Sequence, residues 1–380
     1  MSTTRSDQAA EAAIGGVRAA VETIAAEAPE VDAERRFPSA GLRALADAGA
    51  LGLVVSPEHG GAGGGLAALA GACEAVGRAC GSTALVFLMH NVTAATFQAG
   101  GGPAASELLP RMASGELLGT LAFSERGTGA HFYSPELQAV RSNGGVRVDG
   151  RKSFVTSSDE AEVYLVLLAG DDGAPDCYVV RRDQPGISFD GEWRGLGMAG
   201  NNSIAMVFDG VELDDSARVG QPGAGAALVF DVVAPFFLVG LAAANAGIAA
   251  AAAEAATARA AAPRYSDGSK LAEIQHVQHL VADMDGDVRA ARLAVVDAAR
   301  LGDAGDAAAL VAIMGAKVRA ADTAVDVARR AMEVCGGQGY TRGMPVERHM
   351  RDALAATVMA PTNAVLRSWI GKALTGLPVP

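Results

Sequence analysis

Apolar residues recur at three- and four-residue spacing through 12–26, 40–48, 66–78 and 84–97, the period of amphipathic helices. Gly/Pro-rich breaks at 37–38, 56–61 and 100–103 separate these stretches, and 106–113 reads as one more short helix. At Leu118 the period changes. Residues 137–141 and 146–149 flank Asn143-Gly144-Gly145, a hairpin signal because those turn residues tolerate positive φ. Further short strands are expected at 163–168, 177–181, 186–189 and 204–213. Strands this short, with turns between them, predict a compact antiparallel β-barrel or sandwich of about a hundred residues. After Val219 the helical period returns, through 228–262, 271–301, 306–334, 346–359 and 362–375. Long helices with mixed Ala/Leu/Val faces predict a four-helix bundle with apolar surface left for a subunit interface. The chain is thus expected to be α+β: a helical domain over 1–117, a β domain over 118–225 and a helical bundle over 226–380.

Composition narrows the function. Half the residues are apolar and 19% charged, which excludes disorder for most of the chain. Acids outnumber bases 43 to 31, for a net charge of −12, and no Lys/Arg run offers a nucleic-acid footprint. No G-x-G-x-x-G joins a strand to a helix, so no Rossmann unit is expected. The alanine-rich run 240–262 carries Glu254 and Arg259 and reads as a buried core helix, not a membrane span. Four cysteines without a C-x-x-C pair, and residues 1–22 without an apolar signal-peptide core, point to a reduced cytoplasmic setting. Cys73 and Cys80, seven apart, read as one buried helical face. His276 and His279 have no acid or Cys at ligand spacing, so no metal is expected. The Asp/Gly cluster 302–306 reads as a helix break with N-cap character.

Three segments carry the chemistry. The first is LAFSERGTGA at 121–130, followed by VDGRKSFVT at 148–156. The second is GLGMAGNNS at 195–203 ahead of VFDGV at 207–211, and the third is CGGQGY at 335–340 leading to PVERHMRD at 345–352. In this order and spacing the chain resembles the acyl-CoA dehydrogenase superfamily over essentially its whole length. The resemblance implies the same three domains and a flavin, FAD, between the β domain and the bundle; FMN would suit a monooxygenase relative. It implies that Ser124, Phe154, Val155 and Thr156 line the isoalloxazine, with Phe154 standing where Trp is common and Thr156 at the reactive edge. Gly127 and Gly129 would let the chain turn near the cofactor, while Ala130 replaces a phosphate-binding Ser. Arg264 is expected to reach the pyrophosphate of a neighbouring subunit's FAD, with Gln275, Gly336, Gly337 and Thr362 completing the cofactor set. Asp267, Glu333 and Ala364 depart from the family pattern.

The largest departure is at the base. Desaturating an acyl thioester removes an α-proton while hydride leaves the β-carbon, and the family uses a carboxylate for the proton. Counting from Arg351-Asp352 places that Glu at Ala360, within Met359-Ala360-Pro361-Thr362. The family's second seat for the base matches the apolar stretch 235–240, with Leu238 near the usual Arg. Glu58, His59, His90, Glu125 and His131 are the replacement bases to consider. The Ala360 N–H remains available to polarise a thioester carbonyl. Phe236, Phe237, Met359 and Ala360 are expected to line an apolar substrate pocket. Three readings stay open: a dehydrogenase with its base elsewhere, a flavin monooxygenase, or a non-catalytic flavin- or thioester-binding protein. The ending IGKALTGL at 370–377 resembles the monooxygenase branch. The partners implied are an acyl thioester of CoA or a carrier protein, or a related small molecule. An electron-transfer partner or flavin reductase, and a homotetramer or homodimer, are implied as well.

Overall fold

The computed structural model describes residues 5–380 apart from Asn143, Asp172, Pro263 and Arg264, with side chains from Glu11 onward. The N-terminal helices are α1 (Arg5–Ala33), α2 (Ser39–Asp47), α3 (Leu66–Ala79), α4 (Gly81–Gly100) and α5 (Pro103–Ala113). Helix α1 buries Val17, Ala20, Ile24, Ala28 and Val31, the three- and four-residue spacing that puts one stripe against a core. Cys80 is buried but lies past the end of α3, as the N-cap of α4, so the two thiols do not share one helix as the spacing suggested.

The strands are β1 (Gly119–Ala122), β2 (Val140–Ser142), β3 (Gly145–Val155), β4 (Val163–Ala169), β5 (Pro175–Arg181), β6 (Ile187–Asp190), β7 (Ile204–Asp214) and β8 (Arg218–Val219). They form two four-stranded sheets, ordered β1-β4-β5-β8 and β2-β3-β7-β6. Val148, Tyr164, Tyr178 and Phe208 fill the space between them, making a sandwich. One pairing corrects the all-antiparallel expectation: β1 runs parallel to β4, because the long excursion through β2 and β3 returns the chain in the same direction.

The second helical region comprises α6 (Gly225–Leu228), α7 (Ala234–Ala261), α8 (Gln275–Asp303), α9 (Ala309–Cys335), α10 (Pro345–Val358) and α11 (Asn363–Leu374). A π-helical turn, Val229–Val233, joins α6 to α7 where periodicity alone predicted one unbroken helix. Residues 225–261 are long and apolar enough to cross a bilayer, yet everything from 238 to 252 is buried against neighbouring helices. Small side chains permit that packing. A Cβ on Gly77 of α3 would lie 2.4 Å from the Ala244 carbonyl oxygen of α7.

Polar bolts join the three regions. Arg351 of α10 makes a two-pronged ion pair with Asp32 of α1, at 2.6 and 2.7 Å, and also donates to the Leu196 carbonyl at 3.2 Å. The neighbouring Asp352, wholly buried, accepts from the Met198 N–H at 2.6 Å. Asp303, at the end of α8, caps α3 by accepting from the Leu66 and Ala67 N–H groups at 2.6 and 2.9 Å. The break at 302–306 thus caps two helices, since Asp306 accepts from the Ala308 N–H at the start of α9.

Candidate active site

The pairing of β3 with β7 slips between Lys152 and Val155, a bulge that breaks the usual alternation of side chains. Inside the bulge Phe154 takes a left-handed backbone, φ 53°, and its ring is 69% exposed. Beside it Val155 is buried, and the Thr156 hydroxyl lies 3.1 Å from that of Ser203, which donates to Asn201 Oδ1 at 3.1 Å. The Ser153 N–H donates to the Ser124 carbonyl at 2.8 Å and brings that segment alongside. Ser124 and the segment Phe154–Thr156 therefore lie side by side. Phe154 and Ser203, with Trp193 and Arg194, border a groove of about 520 Å³. A flat exposed ring held at a strained position beside paired hydroxyls fits the edge and face of a flavin.

An ion pair underpins the bulge. Lys152 Nζ is 2.5 Å from Glu125 Oε1 and donates to the Leu167 carbonyl at 2.5 Å, with both side chains almost wholly hidden from solvent. Burial pushes the Lys152 ammonium down to about 8, against the pull of Glu125. Glu125 Oε2 also accepts from the Glu136 and Leu137 N–H groups, at 2.9 and 3.1 Å. Every oxygen of this carboxylate is engaged in holding the 125–137 loop, which takes Glu125 out of the set of free bases.

His90 is likewise committed. Its Nδ1 accepts from the Gly119 N–H at 3.1 Å, so Nε2 carries the proton donated to the Leu51 carbonyl at 3.1 Å. Burial pushes it down to about 4, and the ring is a neutral bridge between α4 and β1. His131 is exposed, its ring edge-on to Tyr133 at 5.8 Å. Glu58 and His59 form part of a surface turn, Pro57–His59. His276 pairs with Glu333 at 3.1 Å, and among the described residues no cluster is suited to a metal ion.

At the other motif, α10 stops at Val358 and Met359 turns extended; the Ala360–Pro361 bond is cis. The Ala360 N–H has no hydrogen bond among the described residues. Thr362, expected at the cofactor, caps α11 by accepting from the Val365 N–H at 3.3 Å. Beneath the turn, the wholly buried Lys317 of α9 donates to the Ala356 and Pro361 carbonyls, at 2.7 and 3.1 Å, and to Asn363 Oδ1 at 2.8 Å. Burial pushes this ammonium down to about 8. Asn363 Nδ2 in turn donates to Asp322 at 2.9 Å, which also pairs with Arg367. Sequence reasoning passed over Lys317; its signal is a lone cation within the apolar stripe of Ile313, Met314, Ala320 and Ala324.

Pro361 borders a cavity of about 630 Å³ with Phe132, Phe230, Phe236, Leu238 and Trp369. Of the expected pocket residues Phe236 lines it. Phe237, Met359 and Ala360 pack half-buried against the adjoining core instead. Phe132, Phe230 and Trp369 were not anticipated. Its carboxylates are Asp303, spent on its cap, and the exposed Asp231, which has no polar side-chain partner among the described residues.

The residues expected at the distal half of the cofactor lie on helix ends. Helix α9 closes at Gly336, φ 61°, a left-handed position that glycine adopts without strain; it and Gly337 are exposed. The His276–Glu333 contact ties the start of α8 to this end, placing exposed Gln275 nearby. Arg264 lies outside the described residues.

Comparison with known proteins identifies the family. Residues 8–116, 120–211 and 239–375 match the N-terminal, middle and C-terminal domains of acyl-CoA dehydrogenase. The chain is 32% identical over 361 residues to cyclohex-1-ene-1-carbonyl-CoA dehydrogenase of Syntrophus aciditrophicus, covering 93% of this chain and 87% of that protein. It is 30% identical to an acyl-CoA dehydrogenase of Bacillus subtilis, covering 93% and 94%. The fold superposes on butyryl-CoA dehydrogenase from Megasphaera elsdenii with a TM-score of 0.91, at 24% identity, covering 99% of this chain and 100% of that one. The chain belongs to the acyl-CoA dehydrogenase family of flavin-dependent oxidoreductases.

Proposed function

We propose that this protein is an FAD-dependent oxidoreductase acting on an acyl thioester or a closely related small molecule, without a side-chain base at position 360. The observation that carries the proposal is the bulge that sets an exposed Phe154 ring beside the Thr156–Ser203 hydroxyl pair. Bound FAD supplies a two-electron acceptor. Phe154 gives its ring a wall, and Thr156 and Ser203 offer hydroxyls at its edge. The unpaired Ala360 N–H is free to polarise a thioester carbonyl. CoA is the favoured carrier, because the relatives named above are CoA thioester dehydrogenases.

A flavin monooxygenase is the second reading. It is favoured by one observation: neither Ala360 nor any side chain of the stretch 235–240 can accept a proton, so both family seats for the base are apolar. Exposed Leu293 and Val296 on α8 support an interface between copies, giving a homodimer or homotetramer. Four buried free thiols support a reducing, cytoplasmic setting.

The purified protein is expected to show a flavin absorbance spectrum and to bleach anaerobically with members of an acyl-CoA panel. A colourless protein that FAD cannot reconstitute overturns the proposal. Hydroxylated product, formed when the prereduced holoprotein consumes oxygen, selects the second reading. Ala360→Glu in a folded, flavin-loaded protein is expected to create or accelerate bleaching; no gain counts against the missing-base argument.

A further inference from the structure

This chain has 11 Phe, 5 Tyr and 2 Trp in 380 residues, yet four of those rings border one cavity: Phe132, Phe230, Phe236 and Trp369. They come from three separate places in the fold: the loop after β1, the π-helical turn and the start of α7, and α11. Tyr133 ties three of them together, with ring centroids 5.2 Å from Phe230, 5.7 Å from Phe132 and 5.9 Å from Trp369. The interplanar angles are 49°, 82° and 58°, so no pair is a parallel stack. We infer that this cavity is an acyl subsite selecting a flat apolar ring, aryl or alicyclic, over a linear chain of the same carbon number. The inference rests on the proposed function, since it takes the acyl group of the thioester as the occupant.

Three observations carry it. Pro361, beside the turn that bears Ala360, is part of the cavity wall, so an occupant lies next to the family's reaction locus. Apart from Asp231, Asp303 and the Trp369 indole N–H, the side chains that line the interior are apolar. Asp303 is used up by the Leu66 and Ala67 N–H groups, and Asp231 is exposed to solvent. Phe132, Phe230 and Trp369 are each held against the Tyr133 ring, so the faces and edges of these three are set before a ligand arrives. A ring ligand then gains edge-to-face or offset contacts that a flexible chain lacks, and it loses less conformational freedom on entry.

The test uses the FAD-loaded protein and non-reactive thioethers of CoA. S-benzyl-CoA and S-(cyclohexylmethyl)-CoA are compared with S-heptyl-CoA by titration calorimetry. Ring ligands are expected to bind about tenfold more tightly, the sum of two aromatic contacts. In Phe230→Leu/Trp369→Leu that ratio is expected to fall towards unity while affinity for the linear ligand changes by less than about threefold. Phe236→Leu provides the same comparison should the double variant fail to fold. Equal or tighter binding of the linear ligand overturns the inference, as does a ring preference that survives loss of the aromatic walls or an absence of binding by all three. Anaerobic bleaching separates the two readings. Flavin bleached equally by linear and ring thioesters overturns the ring selectivity alone. Ring-selective binding without any bleaching supports the subsite and overturns the dehydrogenase reading.

Discussion

Lys317 Nζ lies 3.1 Å from the carbonyl of Pro361, so a buried ammonium on α9 holds the turn that carries Ala360. The same ammonium binds the Ala356 carbonyl before the turn and Asn363 after it. The turn's shape is therefore set from below, independently of the side chain at position 360. Lys317→Met should leave three acceptors without their donor and cost roughly 1–3 kcal/mol of stability, read from the denaturant midpoint. An unchanged midpoint would show that water replaces the ammonium at no cost.

Glu125 and Lys152 make a second buried pair, but their obligations differ. Without Lys152, the Glu125 carboxylate keeps the Glu136 and Leu137 N–H groups. Without Glu125, a hidden ammonium keeps carbonyl acceptors but loses its counter-charge, and two backbone donors lose their acceptor at once. Glu125→Leu should therefore destabilise by about 3–5 kcal/mol, and Lys152→Met by less. The reverse order in equilibrium unfolding would contradict this account.

Phe154 offers a clean separation of fold from function. Its exposed ring adds little packing, and its left-handed φ of 53° suits glycine better than Phe. Phe154→Gly should leave stability within about 1 kcal/mol of the parent while weakening FAD binding roughly tenfold. Loss of stability with unchanged FAD affinity would reassign the ring to the fold.

His90 predicts an acid-side weakness. Its folded value is pushed down to about 4 from an ordinary 6.5, so the unfolded chain binds the proton more readily between those limits. The neutral-state contribution is full above 6.5 and is lost as pH falls towards 4, by up to roughly 3 kcal/mol. His349, pushed down to about 3 by burial, adds to the trend. Asp352, raised to about 6 by burial, opposes it. The pH-dependent difference in stability between the parent and His90→Gln isolates the histidine; parallel curves from pH 7 to 4 would refute the assignment.

Much of this protein was legible before folding. Helix periods, turn residues and the ordered motifs are each set by residues close together in the chain, and hydrophobic patterning is a local code, so the helices, most strands and the family could be read directly. The apolar residue at 360 is a matter of composition and needed no structure.

Other features exist only because distant segments meet. Glu125 looked like a possible base until β3 placed Lys152 against it, and His90 until Leu51 and Gly119 took both ring nitrogens. The parallel β1–β4 pair joins residues more than forty positions apart, and the aromatic cavity joins 132, 230 and 369. Whether a polar side chain is free or spent, and which rings share a wall, depends on packing between elements. The ammonium of Lys317 under the Ala360–Pro361 turn is decided there, by burial and by the carbonyls that the tertiary fold brings within its reach.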